Sequence, residues 1–324
     1  MADFGPGLIT VFGGSGFIGA QVVRALAKRG WRVRVAVRKP ALAYDLRPLG
    51  DVGQIQPLLC DITKPADVAA ALKGADAAIN LVGILFEGAG GKFETSHVAG
   101  AVNVAEAAKA AGVKRLVHMS ALGADVNGKA EYARTKGRAE IAVRAAFPGA
   151  VVIRPSVVFG AGDNFLNKFG AMATFSPALP LIGGGQTRFQ PVYVGDVAEA
   201  IARAVETPGA EGKTFELGGP AVWSFKDILK LILRETKRSP FLIPLPFPVA
   251  RMIGSLAQIP AMIGLAPALT KDQVLLLESD NVVSPGTEGL AELGIDPTGL
   301  EAIAPSYLWR YRVGGQYAEN PTAA

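Results

Sequence analysis

Apolar runs of strand length alternate with stretches of helical periodicity in the first half of the chain. Predicted strands occupy residues 8–12, 32–37, 55–60, 77–82, 115–119 and 150–153. Predicted helices between them occupy residues 20–29, 65–72, 96–111 and 133–147. Strands that alternate with helices in this way are typical of a parallel sheet with helices on both faces. The pattern therefore predicts an α/β fold built on a doubly wound parallel sheet.

The alternation fades after Pro155, where glycine, proline and longer loops predominate. We therefore expect residues 1–155 to form the sheet domain and residues 156–324 to form a smaller, mixed C-terminal region. Within that region, residues 239–270, called the interface segment below, contain a single charged side chain, that of Arg251. The longest run without proline, residues 249–259, is shorter than the ~20 apolar residues that a membrane-spanning helix needs.

A helix over residues 249–259 would be amphipathic. The residues on its apolar face are Val249, Met252, Ile253, Leu256 and Ile259, and those on its polar face are Arg251, Ser255 and Gln258. Such a helix could lie at a membrane surface or pack on a partner subunit, and it could also be a core helix beneath the second region. The aromatic and basic residues 307–312 suit an interface as well.

Half of the 324 residues are hydrophobic and 19% are charged, with a mean hydropathy of +0.30. This composition supports a sizeable core and excludes disorder over most of the chain. The single cysteine, Cys60, excludes an internal disulfide and suits a reducing compartment. The two histidines, His97 and His118, do not have the spacing of metal ligands, so no metal site is expected.

The net charge of +5 is unevenly distributed along the chain. Residues 24–47 contain eight Lys or Arg and one acidic residue, Asp45. Because no zinc-finger spacing or basic heptad region accompanies this cluster, it favours a local anionic ligand over nucleic acid. Seven residues precede the first predicted strand and contain no basic stretch, so neither a secretory nor a transit peptide is expected.

A glycine-rich turn joins the first predicted strand to the first predicted helix. Its residues are Gly13, Gly14, Ser15, Gly16, Phe17, Ile18 and Gly19. This spacing of glycines allows a tight turn, a close approach of the backbone to a pyrophosphate, and packing of the helix on the strand. The helix N-terminus would offer free N–H groups and the positive end of its dipole to the phosphates. The turn predicts a Rossmann-type dinucleotide site, and the pattern alone also fits a purely structural turn.

The end of the second predicted strand indicates which dinucleotide is bound. NAD-binding proteins usually place an acidic residue there, against the ribose 2′-hydroxyl, whereas this chain has Arg38 and Lys39. A guanidinium can bind a 2′-phosphate through paired charge-assisted hydrogen bonds. We therefore predict NADPH or NADP⁺ as the cofactor, held by Arg38 with help from Lys39 and Ser15. The alternative is that both cations are solvated surface residues.

Further cofactor contacts are expected where the other strands end, because ligands bind beyond the carboxyl ends of parallel strands. Asp61 could meet the adenine amino group, or it could instead cap the following helix. The backbone at Leu81, Val82 and Gly83 would face the nicotinamide ribose. The other predicted contacts at strand ends are Ile62, Met119, Pro155 and Val158.

Tyr132 and Lys136 are four residues apart near the start of a predicted helix, so their side chains share one face. The lysine ammonium would lower the pKa of the phenol and reach the nicotinamide ribose, so that the phenol could exchange a proton during hydride transfer. Ser120 follows the fifth strand, where it could polarise a carbonyl or be a satisfied strand-end hydroxyl. These three residues are the candidate catalytic group.

Together with residues 154–160 and 191–197, these motifs resemble the extended and atypical short-chain dehydrogenase/reductase superfamily. A narrower resemblance rests on residues 44–55, 79–83, 92–94, 163–167, 190–194 and 240–246. These segments resemble the NAD(P)H-binding accessory subunit of respiratory complex I called alpha-subcomplex subunit nine, and the similarity spans nearly the whole chain.

The narrower resemblance implies a tightly bound NADPH with a structural role, at the junction of the peripheral and membrane arms of complex I near the quinone site. It implies other complex I subunits as partners. It also implies a peripheral location, on the cytoplasmic face of a bacterial inner membrane or the matrix face of a mitochondrial one.

Two departures from active superfamily members argue against turnover. Ala121 lies at or next to the position where a hydroxyl is usual, and His97 stands where an Asn is common. One alternative function is an NADP-dependent reductase or epimerase that acts on a quinone precursor or another small carbonyl or sugar-like substrate. A second is an NADPH sensor whose partner binding depends on the nucleotide.

Overall fold

A computed structural model describes residues 5–88, 91–257, 267 and 269–317. Its strands are β1 (Leu8–Phe12), β2 (Arg32–Val37), β3 (Ile55–Leu59), β4 (Ala77–Asn80), β5 (Arg115–Met119), β6 (Val151–Pro155), β7 (Val158–Phe159), β8 (Ala178–Ile182), β9 (Arg188–Phe189), β10 (Val192–Tyr193), β11 (Thr214–Leu217), β12 (Trp223–Ser224) and β13 (Phe241–Leu245). Its helices are α1 (Phe17–Lys28), α2 (Pro65–Leu72), α3 (Gly100–Ala110), α4 (Glu131–Ala146), α5 (Leu166–Phe175), α6 (Val194–Glu206), α7 (Phe225–Thr236), α8 (Phe247–Leu256), α9 (Lys271–Leu276), α10 (Leu300–Ile303) and α11 (Pro305–Leu308).

Seven parallel strands form the central sheet, in the order β3-β2-β1-β4-β5-β6-β11. The chain starts in the middle of the sheet, winds outwards to β3, and then crosses to the other side of β1. This is the predicted doubly wound topology, which is therefore confirmed. Pro57 lies in the edge strand β3, where its missing N–H group leaves no neighbouring strand without a partner.

Helices cover both faces of the sheet, as the alternating pattern predicts. α1 and α6 enclose one core cluster, which includes Val11, Val35 and Ile79. α2, α3 and α4 cover the other face, where the cluster is richer in small residues such as Ala78 and Ala105. Ala78 and its neighbour Ile79 belong to different clusters because successive side chains of a strand point to opposite faces.

The central sheet includes a strand from beyond residue 155. β11 pairs in parallel with β6, and α6 packs against α1. Arg154 on β6 also links the segments before and after residue 155, because it forms salt bridges with Glu140 on α4 and Glu216 on β11. A boundary at residue 155 therefore does not enclose the whole sheet, since residues 194–217 return to it.

A third hydrophobic cluster forms the core of the remaining C-terminal region. It is built mainly from α5, α7, α8, α10 and α11. Its centre is aromatic, and the rings that contact one another are those of Phe165, Phe169, Phe189 and Phe225. Short strand pairs, β7 with β10, β9 with β12 and β8 with β13, lie around this core. The C-terminal region thus has a hydrophobic core of its own. It combines helices with short strands, which is the predicted mixed character.

Residues 307–312 help to close this C-terminal core. Tyr307 is buried and its hydroxyl donates a hydrogen bond to Asp163 Oδ2 at 2.7 Å. The hydroxyl of Tyr311 donates to Asn167 Oδ1 at 2.9 Å. Asp163 also accepts three backbone N–H groups around the start of α5. The predicted interface role is therefore wrong for Tyr307, which is buried, whereas for the partly exposed Tyr311 it stays a prediction.

The apolar face of α8 is exposed. Its side chains that are between 40% and 63% accessible are Val249, Met252, Ile253 and Leu256. Ala250 and Gly254 form the buried face of the same helix. The alternative of a core helix is therefore wrong for these four apolar residues, whereas Gln258 and Ile259 lie outside the described residues. Within the ranges that the structure describes, no helix is both long and apolar enough to cross a membrane.

Candidate functional site

The glycine-rich turn has the geometry that its spacing predicts. Gly13 has a φ of +78°, a conformation that favours glycine. At Gly19, a Cβ atom would lie 2.4 Å from the carbonyl oxygen of Gly13, so glycine is needed for α1 to pack on the turn. At Gly16, a Cβ atom would come no closer than 3.4 Å to that oxygen, and the residue is exposed. The turn is therefore tightly packed at Gly19 and accessible to a ligand at Gly16.

The N-terminus of α1 is suited to binding an anion. Gly16 is the N-cap residue, no side chain caps the helix, and its first turn contains no acidic residue. The first N–H groups of a helix have no partner within the helix, so those of Phe17, Ile18 and Gly19 can bind a pyrophosphate. The residues of this turn thus fit the phosphates of a dinucleotide.

The carboxyl end of β2 brings a cationic pair next to this turn. The N–H group of Gly13 donates to the carbonyl of Ala36 at 3.1 Å, and Arg38 and Lys39 follow at exposed positions. Hydrogen bonds from Thr63 are the main cause of a lowered pKa of Asp61, and the charge of Arg38 adds to this effect. Arg38 therefore lies near the ends of both neighbouring strands, where Ser15 is also exposed.

Asp61 does not cap α2, so that alternative is wrong. The N-cap residue is Lys64, and Asp61 Oδ1 instead accepts the N–H group and hydroxyl of Thr63 at 3.0 and 2.8 Å. A contact of Asp61 with adenine stays a prediction. Ile62 is buried in the core beside α3, and its carbonyl accepts a hydrogen bond from Asn103 at 3.0 Å, so the structure gives this residue a packing role.

The other predicted cofactor contacts lie along one edge of the sheet. Those that belong to or touch the same core cluster are Ile18, Leu81, Met119 and Val158. A Cβ atom on Gly13 would lie 3.3 Å from Val82 Cγ2, so the segment after β4 packs on the turn. Pro155 ends β6 on the same side. Because the strands are parallel, their carboxyl ends meet at this edge.

Tyr132 and Lys136 share one face of α4, as their spacing predicts. Lys136 Nζ lies 5.9 Å from the centre of the Tyr132 ring and donates to the carbonyl of Met119 at 3.0 Å. A Cβ atom on Gly83 would lie 3.4 Å from the same Nζ. The buried ammonium group of Lys136 therefore lies where the ends of β4 and β5 meet α4. The predicted residues of these three elements thus lie in one site.

The surroundings of Tyr132 reverse the predicted shift of its pKa. Burial, together with the nearby carboxylate of Asp272, raises the pKa of the phenol to about 12. Burial also lowers the pKa of Lys136 to about 8. The predicted lowering of the Tyr132 pKa is therefore wrong, because burial and the Asp272 carboxylate both disfavour the charged phenolate. At neutral pH this phenol is protonated and can donate a hydrogen bond.

Ser120 carries a buried hydroxyl at the end of β5. Among the described residues it has no hydrogen-bond partner, so the alternative of a satisfied strand-end hydroxyl is wrong. Leaving such a group unpaired costs about 1–3 kcal/mol. A polar ligand group at this edge of the sheet would remove that cost. The hydroxyl is thus a second feature of the site that fits a bound nucleotide.

His97 lies beside Tyr132 and contacts the segment that follows β4. Its Nε2 accepts the N–H group of Ile84 at 3.0 Å, and its Nδ1 lies 3.0 Å from the hydroxyl of Thr135. The imidazole also contacts the rings of Phe93 and Tyr132, with centroid distances of 5.2 and 5.4 Å. These contacts give His97 a role in ordering the segment after β4 and the Tyr132 ring.

Acidification is expected to destabilise the fold through its two buried histidines. Burial, with a further contribution from Lys136, lowers the pKa values of His97 and His118 to about 3. Both are neutral in the folded chain but take up protons below about pH 6.5 when unfolded. The unfolded state therefore binds more protons between pH 6.5 and 3, and at pH 5 each histidine should cost about 2 kcal/mol of stability.

Urea unfolding of the wild type and of His97→Asn at pH 7 and pH 5 measures this effect. The stability loss on going to pH 5 should be about 2 kcal/mol smaller in the variant, because one buried imidazole is absent. Equal losses in the two proteins would show that His97 does not contribute to the pH dependence.

One residue of the site comes from far along the chain. Asp272 on α9 accepts the backbone N–H groups of Glu131 and Tyr132, at 2.6 and 3.0 Å. The local N-cap residue, Ala130, has no side chain that could do so. Sequence reasoning missed Asp272. Its only signal was the lack of a capping residue before Glu131, which does not reveal where the cap comes from.

The sheet order, the glycine-rich turn and the Tyr132–Lys136 pair define a Rossmann-fold protein of the short-chain dehydrogenase/reductase type. The structure of an NADPH-dependent quinone oxidoreductase from Escherichia coli, in complex with NADPH, has the same fold. It aligns with a TM-score of 0.71 and 21% identity, and the alignment covers 93% of this chain and 99% of that one. In the part of the chain that the structure describes, no group of three or more His, Cys, Asp or Glu could hold a metal ion.

The chain belongs to the NAD dependent epimerase/dehydratase family, whose model matches residues 9–218, and within it to the relatives of alpha subcomplex subunit 9. The rat mitochondrial protein named NADH dehydrogenase [ubiquinone] 1 alpha subcomplex subunit 9 is 38% identical over 310 residues, which cover 94% of this chain and 80% of the rat protein. A ceramide reductase of Caulobacter vibrioides is 33% identical over 208 residues, 64% of each chain. Both resemblances found in the sequence are thus confirmed.

Proposed function

We propose that the chain binds NADPH or NADP⁺ at the glycine-rich turn. The uncapped N-terminus of α1 suits the pyrophosphate, and Arg38 stands at the strand end where an acidic residue would favour NAD. Tyr132, Lys136 and the unpaired hydroxyl of Ser120 would hold the nicotinamide-ribose half. When bound, the nucleotide could supply hydride chemistry. Titration of the full chain with NADPH and NADH tests the preference.

We infer that the nucleotide serves as a structural ligand. Three features support this role: the pKa of Tyr132 is raised to about 12, Ala121 has no hydroxyl, and His97 is engaged by Ile84 and Thr135. A ligand that binds only the folded state stabilises that state, by about 4 kcal/mol at a thousand times its Kd. Nucleotide binding would therefore hold the turn and α4 in one arrangement without any turnover.

We propose that the chain is an accessory subunit of respiratory complex I, where it would stabilise the junction of the peripheral and membrane arms near the quinone site. The observation that carries this proposal is the similarity to a subunit of NADH dehydrogenase over 94% of the chain. The exposed apolar face of α8 supports a contact with another subunit or with the membrane surface. The location would be peripheral, on the cytoplasmic face of a bacterial inner membrane or on the mitochondrial matrix face.

A native gel of solubilised membranes tests the accessory role. The full chain should co-migrate with NADH:ubiquinone oxidoreductase activity and retain its nucleotide through purification. Met252→Asp should lower the co-migrating fraction about tenfold or more, because it places a charge in an apolar contact. Ser255→Asp, at an exposed polar position of the same helix, is the matched control and should co-migrate normally. A wild-type chain that never co-migrates would contradict the accessory role.

The second candidate is an NADP-dependent reductase or epimerase that acts on a quinone precursor or another small carbonyl or sugar-like compound. The adjacent Tyr132 and Lys136 favour it, as does the similarity to a ceramide reductase. An enzyme of this kind would oxidise NADPH with such a compound, and Tyr132→Phe would slow it about 100-fold or more. The accessory role instead predicts no oxidation, and nucleotide retention that does not depend on the Tyr132 hydroxyl.

A further inference from the structure

The helix that carries Tyr132 and Lys136 is capped by a residue of the C-terminal region. The carboxylate of Asp272 binds the first two N–H groups of α4 with one oxygen each. α9 itself is held at its start by a capping box, in which the Thr270 hydroxyl accepts from the N–H of Gln273 and the Gln273 side chain accepts from the N–H of Thr270. The cap is thus a pre-formed group presented to α4 from a separate element.

The position of this cap bears directly on the candidate site. A carboxylate at a helix N-terminus satisfies unpaired N–H groups and interacts favourably with the helix dipole. Asp272 binds the backbone of Tyr132 itself, and Lys136 follows one helical turn later. Any shift of α9 therefore reaches the two side chains that would hold the nicotinamide-ribose half of the nucleotide.

α9 is also joined to the interface segment. A Cβ atom on Gly254 of α8 would lie 2.8 Å from the backbone of both Thr270 and Lys271, so the two helices approach closely at this glycine. Glu278, just after α9, forms salt bridges with Arg251 on α8 and with Lys129 in the loop before α4. A continuous set of contacts thus runs from the helix with the exposed apolar face, through α9, to the start of α4.

We propose that Asp272 is a positioning residue for the nicotinamide half of the site, which it reaches from α9, the helix packed against α8. This inference rests on the proposed binding of NADP(H). Asp272 would act through α4, whose first N–H groups it binds, whereas the glycine-rich turn and Arg38 would hold the adenosine half. Its removal should therefore affect one half of the nucleotide selectively.

Binding of NADPH and of 2′,5′-ADP, which has the adenosine half only, separates this role from general stabilisation. In the full chain, Asp272→Ala should weaken NADPH binding about fivefold or more, because a helix cap is lost beside the nicotinamide half. The affinity for 2′,5′-ADP should remain unchanged. Asp272→Asn retains one acceptor oxygen at the cap, so its NADPH affinity should lie between those of the wild type and the alanine variant.

Asp280→Ala is the matched control. Asp280 accepts the backbone N–H of Arg188 at 2.8 Å, so this variant also removes a carboxylate bound to backbone, but away from α4. Both of its affinities should equal those of the wild type. Equal loss of NADPH and 2′,5′-ADP affinity in Asp272→Ala, or no loss in a folded variant, would overturn the positioning role. A wild type that binds neither compound would instead overturn the proposed function.

Discussion

Replacing Arg38 with glutamate should weaken NADPH binding about 100-fold and leave NADH binding unchanged or stronger. The guanidinium is expected to make charge-assisted hydrogen bonds to the 2′-phosphate, worth about 1.5–3 kcal/mol. The new carboxylate would repel that phosphate, whereas it could accept a hydrogen bond from the 2′-hydroxyl of NADH. Fluorescence titration of the full chain with both nucleotides, at one fixed ionic strength, measures the change in preference.

Arg32→Glu is the control for this experiment. Arg32 is exposed at the other end of β2, roughly 20 Å from Arg38 at the rise of an extended strand. The substitution changes the net charge by the same amount, but at a distance beyond the ~8 Å over which charges interact at physiological salt. Its nucleotide preference should match the wild type. An NADPH affinity of Arg38→Glu equal to that of the wild type would contradict the role of Arg38.

Replacing Arg154 with methionine should lower the free energy of unfolding by about 3–5 kcal/mol. The guanidinium binds Glu140 through two hydrogen bonds, at 2.9 and 2.7 Å, and Glu216 through one at 3.3 Å. Both carboxylates are buried, so the substitution removes their shared cation, although Glu216 keeps a hydrogen bond from the N–H group of Ser284. Urea unfolding measures the change, and the melting temperature should fall by roughly 5 °C.

Arg188→Met is the control for Arg154→Met, because it removes a solvent-exposed salt bridge. Arg188 and Asp280 pair at 2.7 Å, with the arginine side chain 64% accessible, so the loss should be under about 1 kcal/mol. Adding Glu140→Gln and Glu216→Gln to Arg154→Met should restore part of the stability, because neutral amides carry no buried charge. A loss in Arg154→Met as small as in Arg188→Met would show that the buried network does not stabilise the fold.

The sheet could be predicted from sequence because its central strands are buried on both faces. β1 reads as a continuous apolar run and β2 as an alternation of charged and apolar residues. The bounds of both agree with the prediction, as do those of β5. β11 was not predicted. Its sequence contains Glu216, whose carboxylate pairs with Arg154 and accepts the N–H group of Ser284, and no local pattern reveals partners 62 and 68 residues away.

The local parts of the site could be predicted, and the parts that depend on tertiary packing could not. The glycine spacing and the four-residue spacing of Tyr132 and Lys136 are properties of a turn and a helix. The cap by Asp272 joins residues 140 positions apart, and the raised pKa of Tyr132 arises from burial, with a further contribution from that carboxylate. The same is true of Tyr307, whose aromatic and polar character suits a surface as well as the buried contact with Asp163.

The position of β11 at the end of the sheet has a consequence for synthesis of the chain. When residue 155 leaves the ribosome, β6 still lacks its outer neighbour, and α6 has not yet been made to cover α1. At 5–20 residues per second, translation to residue 217 takes roughly 3–12 s, during which β6 has an open edge. An unpaired edge strand can join to another chain. A fragment that ends at residue 155 would therefore keep β6 as an unpaired edge strand, open to pairing with another chain.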